Sequence, residues 1–166
     1  MTIALTPVPL NREDFAPYGD VIESAAGTTA AMNAARFERF DDLCAIEMQD
    51  NARVAVSIAR CLVANSLPYR IDMVERHPLG SQAFVPLSPA TMVVVVAPPG
   101  DAVRASDLRA FVSNGRQGIN YHRGTWHMPL IAFEAGQEFL IIDRVGDVPN
   151  CDTCSLDASV MLLENG

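Results

Sequence analysis

The chain carries three histidines, each set among residues able to share its chemistry. In "ERHPLGSQ", Glu75 lies two positions before His77 and Gln82 five after it; in "YHRGTWH", His122 and His127 flank Arg123 and Trp126, the single tryptophan. An imidazole titrates near neutral pH and offers a ring nitrogen as a base or a metal ligand. A carboxylate and an amide oxygen beside two imidazoles make a mixed nitrogen and oxygen set for a divalent first-row ion. Without an ion, the same groups are the parts of a site that moves protons. Glu75, His77, Gln82 and His127 are therefore candidates both as catalytic residues and as metal ligands, provided the fold brings the two segments together.

Most of the chain reads as short β-rich runs broken by turn residues. Strands are expected over 19–23, 43–48, 53–62, 69–77, 82–87, 91–97, 109–113, 125–133 and 138–144, separated by stretches such as "NSLP", "HPLGS", "PPGD" and "SNGRQG". Many short strands at even spacing predict an all-β sandwich or barrel, one domain over 1–166. Helix is confined to "NREDFAPYG", which has an N-cap and an acidic first turn, and to a turn in "ASDLRAF". The segment "SLDASVMLLE" suits helix and strand equally.

Strand alternation gives each candidate a side. Within 69–77, Ile71, Met73, Glu75 and His77 share one face, and Arg70, Asp72, Val74 and Arg76 the other. A carboxylate on an otherwise apolar face requires a partner, a proton or a metal. A tight turn at "PLGS" would send 82–86 back antiparallel, bringing Gln82 beside His77 and Glu75. With His127 inward, Thr125 and Ile131 share its face while Trp126, Met128 and Leu130 point out, toward a dimer interface or a covering segment. Core packing of Trp126 is an equally open reading. His122 falls at the turn before this strand, at the mouth of the barrel or on its surface.

The spacing Glu75-x-His77-x4-Gln82 has the form of the first motif of cupin barrels, His-x-His followed four residues later by Glu, and His122-x-Gly124-x2-His127 is similar to the second, Pro-x-Gly-x2-His. The chain thus resembles a cupin with substitutions at two of the four metal positions. That likeness implies a double-stranded β-barrel (jelly roll) with one or two short helices, in which Glu75, His77, Gln82 and His127 converge.

Over nearly its whole length the sequence also resembles the ureidoglycolate lyases. The likeness rests on "FAPYGDVIE", "ERHPLGSQAFVP", "VVVVA", "LRAF", "NGRQGINYHRGTWH", "IDR" and "NCD". It implies a dimeric barrel that splits (S)-ureidoglycolate into glyoxylate and urea in allantoin breakdown. One departure is Met128, where the family often has a second histidine in Trp-His-His-Pro-Leu; on an outward position it should alter packing more than chemistry.

The implied reaction removes a hydroxyl proton, breaks a C–N bond and protonates the leaving nitrogen. His77 or His127 would serve as base, with Glu75 as orienting group, ligand or acid, and Gln82 and Tyr121 as hydrogen-bonding partners of the urea group. Arg39, Arg123 and Arg144 are candidates for the substrate carboxylate, with His122 beside them. A divalent metal, whether nickel, manganese, iron or zinc, would hold the hydroxyl and carboxylate oxygens; no organic cofactor is implied. The readings from other classes are a non-catalytic small-acid binder or sensor and metal-dependent oxygen chemistry.

Composition narrows the rest. A formal charge of −8 and a pI near 4.7 argue against a nucleic-acid partner. All twelve basic residues are arginines, which removes Schiff-base lysine chemistry and the phosphate-loop lysine. The absence of an apolar run long enough to span a bilayer makes a soluble, cytoplasmic protein the expectation. Cys44, Cys61, Cys151 and Cys154 are then expected as free thiols, and "CDTC" reads as a local turn for want of a second CxxC.

Overall fold

A computed structural model describes residues 2–24 and 29–164. In chain order its elements are β1 (Thr2–Leu5), β2 (Val8–Pro9), α1 (Arg12–Phe15), β3 (Gly19–Ile22), β4 (Thr29–Met32) and β5 (Phe37–Phe40). Then come β6 (Arg53–Arg60), β7 (Tyr69–Arg76), β8 (Gln82–Pro86), β9 (Val93–Ala97) and β10 (Arg109–Val112), with a 3-10 turn at Ala105–Asp107 before β10. β11 (Gly118–Tyr121), β12 (Trp126–His127), β13 (Glu138–Val145) and β14 (Asp152–Leu162) complete the chain.

Seven strands form one sheet in the order β1-β14-β7-β12-β9-β10-β2, and five form a second in the order β3-β11-β8-β13-β6. Their facing sides share one apolar cluster: Val94, Val96 and Phe111 from the first sheet meet Val21, Phe84, Ile119, Tyr121 and Phe139 from the second. This is the all-β, cupin-like barrel that the short-strand pattern and the motif likeness imply. The two short helical pieces fall where the sequence places them, and the Asn11 side chain caps α1 by accepting from the Asp14 amide at 2.9 Å.

A second cluster lies on the outer side of the seven-stranded sheet. There Val74, Val95, Trp126 and Met128 are covered by Val103, Ala105 and Leu108. Burial on both sides explains the unbroken apolar run of β9, all five residues of which are buried. Trp126 and Met128 therefore point away from the barrel interior, and the chain's own segment around 98–108 covers them.

Several local expectations are corrected. Residues 43–48 form no strand; only Met48 makes a bridge, with Gly80, because the loop at 79–81 offers too short a partner. β8 does not return beside β7 as a hairpin but crosses to the other sheet, pairing with β11 and β13. Alternation in β7 breaks between Ile71 and Val74, both in the outer cluster, where the pairing with β14 shifts register. Pro129 ends β12, and beyond it the faces exchange: Ile131 joins the outer cluster while Leu130 packs against the inner one. The ambiguous C-terminal segment is strand β14, and β1, β2, β4, β5 and β11 have no counterpart among the expected strands.

Candidate active site

Two rows of inward side chains meet in the barrel. In the seven-stranded sheet, Glu75 on β7 stands opposite His127 on β12. In the five-stranded sheet, Tyr121 on β11 stands opposite Gln82 on β8. His77, one residue past β7, spans the gap: its ring lies 5.1 Å from that of His127, and its Nε2 is 3.1 Å from Gln82 Oε1. The crossing of "PLGS" between sheets, rather than a hairpin, is what delivers Gln82 to His77. The second segment is fixed by Gly124, whose φ of +81° suits glycine and whose amide donates to the His77 carbonyl at 2.9 Å.

The imidazoles are oriented by backbone carbonyls. His127 Nδ1 donates to Thr125 O at 2.9 Å, and His77 Nδ1 to Asn150 O at 2.6 Å. With Nδ1 committed to a carbonyl in both, Nε2 is the nitrogen that each ring turns into the site. His127 is 1% exposed and its Nε2 has no hydrogen-bond partner; the nearest charge is Glu75 Oε1 at 3.6 Å. Tyr121 stacks on the other side of His127, centroids 4.2 Å apart at 16°.

The charges follow from these contacts. His127 beside it, outweighing burial, holds the Glu75 carboxyl below its usual range, with a further pull from His77. The Cys151 thiol donates to the second Glu75 oxygen at 3.7 Å, and burial together with that carboxylate pushes the thiol up. Burial, and then Glu75, also raise Tyr121, so its hydroxyl keeps its proton. Glu75 is thus held as an anion beside the Nε2 edge of both imidazoles.

These groups fit a metal ion. Ligand atoms of Glu75, His77 and His127 all lie within 4.8 Å of one another. An orphaned, buried Nε2 is costly unless something occupies the space before it, and two imidazoles with a carboxylate form a donor set for a divalent first-row cation. Gln82 Oε1 faces the same space through its contact with His77.

A cavity of about 380 Å³ opens onto Glu75 and Gln82 and is walled by Phe84, Leu130, Phe139 and Ile141, with Arg60 at its rim. Arg60 is the arginine among the lining residues; its guanidinium pairs with Glu138 at 2.7 Å and its side chain remains 67% exposed.

The sequence profile described as "Ureidoglycolate lyase" matches residues 2–163. A curated ureidoglycolate lyase of Azotobacter vinelandii is 47% identical over 147 residues, covering 87% of each chain. One of Pseudomonas syringae is 47% identical over 87% of this chain and 85% of its own, and one of Pseudomonas fluorescens 46% identical over 89% of each. The chain belongs to the ureidoglycolate lyase family.

Within this family member, the site residues expected from sequence separate into two groups. Glu75, His77, Gln82, Tyr121 and His127 come together. His122 turns to the outer side and meets Asp20 at 3.1 Å. Arg123 is exposed, its amide held by Glu47 at 2.8 Å. Arg144 is buried on the side of β13 opposite the barrel interior, donating to the carbonyls of Gln49 and Val148 at 3.2 and 3.0 Å. Arg39 lies on the exposed β4–β5 hairpin, paired with Asp41 at 2.6 Å. Arg60 and Asp143, which do reach the cavity or its polar wall, were not among the candidates. For Asp143 the available signal was the inward alternation of β13 with Phe139 and Ile141; Arg60 shares the outer face of β6 with Val56 and Ile58 and reaches the rim from the end of the strand.

Proposed function

We propose that the protein cleaves (S)-ureidoglycolate to glyoxylate and urea, a step of allantoin and purine breakdown, with Glu75, His77, Gln82 and His127 at the reacting centre. The observation that carries this reading is the convergence of the His77 and His127 imidazoles on Glu75, which lines the end of a cavity, in a member of the ureidoglycolate lyase family. A divalent ion held by Glu75, His77 and His127, with Gln82 Oε1 beside them, would polarise the substrate's hydroxyl and carboxylate oxygens. Nickel, manganese and zinc all suit this donor set.

The chain's own groups carry the proton. Glu75, holding the ion through one carboxylate oxygen, would accept the hydroxyl proton on the other; the O–H electrons form the aldehyde C=O, and the C–N pair leaves on nitrogen. The same proton, returned from Glu75 to that nitrogen, completes urea, so no net proton is exchanged. Gln82 presents oxygen, which accepts from the urea N–H groups, and Tyr121 holds His127 in plane while keeping its own proton. Arg60 at the rim is the side chain placed to take the substrate carboxylate.

The working form is a homodimer paired through β6. Among the described residues β6 is an edge strand bonded only to β13, and Val56 and Ile58 on its outer side are 65% and 60% exposed. Leu62 and Val63, at the cavity rim, are each 82% exposed and extend the same patch. Four free thiols suit the reducing cytoplasm, and among the described residues no helix is long and apolar enough to cross a membrane.

The test is to incubate purified protein with (S)-ureidoglycolate and quantify glyoxylate, urea and ammonia, before and after chelation and metal return. Glyoxylate and urea in equal amounts, lost on chelation and restored by metal, are expected. Ammonia in place of urea would mean hydrolysis, turnover insensitive to chelator would remove the metal, and binding without turnover would make the chain a small-acid binder.

A further inference from the structure

Gln82 stands where a charged ligand would be the simpler choice, and its amide has two chemically opposite ends. Its Nε2 donates to Asp143 Oδ2 at 3.3 Å, while its Oε1 lies 3.1 Å from His77 Nε2. His77 Nδ1 donates to Asn150 O at 2.6 Å, so Nε2 is the nitrogen it turns toward the amide. A half-turn of the amide would put its NH2 in place of its oxygen at that nitrogen. What prevents the half-turn is Asp143, because a carboxylate only accepts and holds the NH2 end to itself.

Asp143 is placed for this by strand register. β13 alternates, with Phe139 and Ile141 in or against the inner cluster, and Ile142 pairs with Ala83, so the next position sets Asp143 beside Gln82 on the inner side. The bond to Gln82 is its side-chain hydrogen bond among the described residues. Asp143 touches neither imidazole, and it is not one of the clustered ligand atoms.

We propose that Asp143 is a positioning residue: it locks the Gln82 amide with its oxygen inward, so that Gln82 Oε1 and His77 Nε2 both face the space in which a cation would be held. The negative charge that cupin barrels carry on the fourth ligand itself is here set one residue behind, on Asp143, and transmitted through a neutral amide. This inference rests on the metal reading above and deepens it. Free of Asp143, the amide rotates, its NH2 takes the place of its oxygen before His77 Nε2, and the oxygen leaves the site.

The experiment uses the full chain stripped of metal and titrated with Ni²⁺ alone against a chromophoric chelator, so no turnover is required. Asp143→Asn, with an unchanged melting profile, is expected to bind Ni²⁺ about 10- to 100-fold more weakly, the range seen when groups behind a ligand are removed. Gln82→Glu combined with Asp143→Asn is expected to regain most of that loss, since the new asparagine amide can donate to a carboxylate that supplies the missing charge. Gln82→Glu alone, with two adjacent carboxylates, should bind less well than the double variant. Asp143→Asn binding within twofold of wild type, or a double variant no better than Asp143→Asn, overturns the role of Asp143 while leaving the metal reading intact. Wild type that takes up no metal overturns both, and an inactive wild type that binds metal overturns only the lyase reading.

Discussion

Glu75 and Arg76 are neighbours in sequence, as are Trp126 and His127, yet within each pair the side chains serve opposite ends. Glu75 and His127 face inward, 3.6 Å apart, across the barrel from Gln82. Arg76 and Trp126 face outward, the guanidinium 4.8 Å over the indole, and both donate to the carbonyl of Gly100 in the segment that covers them. In a sheet buried on both sides, chemistry and packing are separated by a single residue, so the face decides what a substitution does. Variants at adjacent positions should therefore fail in different ways.

The largest effect is expected on the inner side. His127→Gln removes an imidazole from the centre and the neighbour of the proton carrier Glu75, and turnover of (S)-ureidoglycolate should fall about 10²- to 10⁴-fold, as when the group handling the proton is disabled. Thermal melting in parallel should show the variant folded. On the outer side, Trp126→Ala should destabilise the protein by about 3–5 kcal/mol in denaturant unfolding, while kcat/KM of the folded fraction stays within a few-fold. Loss of activity without loss of stability in Trp126→Ala would erase the distinction between the two faces.

A smaller contrast concerns two arginines. Arg60→Ala should raise KM by about 10- to 100-fold with little change in kcat, as a charge-assisted contact of about 1.5–3 kcal/mol to a carboxylate would require. Arg144→Ala, behind the sheet, should act on stability instead. Smallest of all is Met128→His. It would put an imidazole in the outer apolar cluster, cost about 1–3 kcal/mol unless the ring finds a partner, and leave kcat/KM within a few-fold; a large gain in activity would show that position 128 serves the site.

Much of this was legible in the chain. Period-two alternation placed Glu75 and His127 inward and Trp126 and Met128 outward, and the motif spacing brought Gln82 to His77. What failed was what depends on partners rather than on local pattern. Residues 43–48 look like a strand but find only one bridging neighbour, and "GINY" of β11 looks like the tail of a turn until β3 and β8 pair with it. The faces of Ile131 and Leu130 were misassigned because Pro129 interrupts the alternation. Asp143 and Arg60 escaped notice because their roles depend on sheet register. Asp143 meets Gln82 across 61 residues of sequence, and Arg60, on the outer face of an edge strand, comes to the cavity rim only because that strand ends there beside β13.

The central claim is that catalysis lives on the inward row of a two-sided sheet, and the shortest route to it is kcat/KM for Glu75→Gln and Arg76→Gln measured side by side with (S)-ureidoglycolate. Glu75→Gln should lose at least about a hundredfold while remaining folded, and Arg76→Gln should stay within a few-fold of wild type while melting earlier. Equal losses in both, or a Glu75→Gln variant at wild-type rate, would contradict the account.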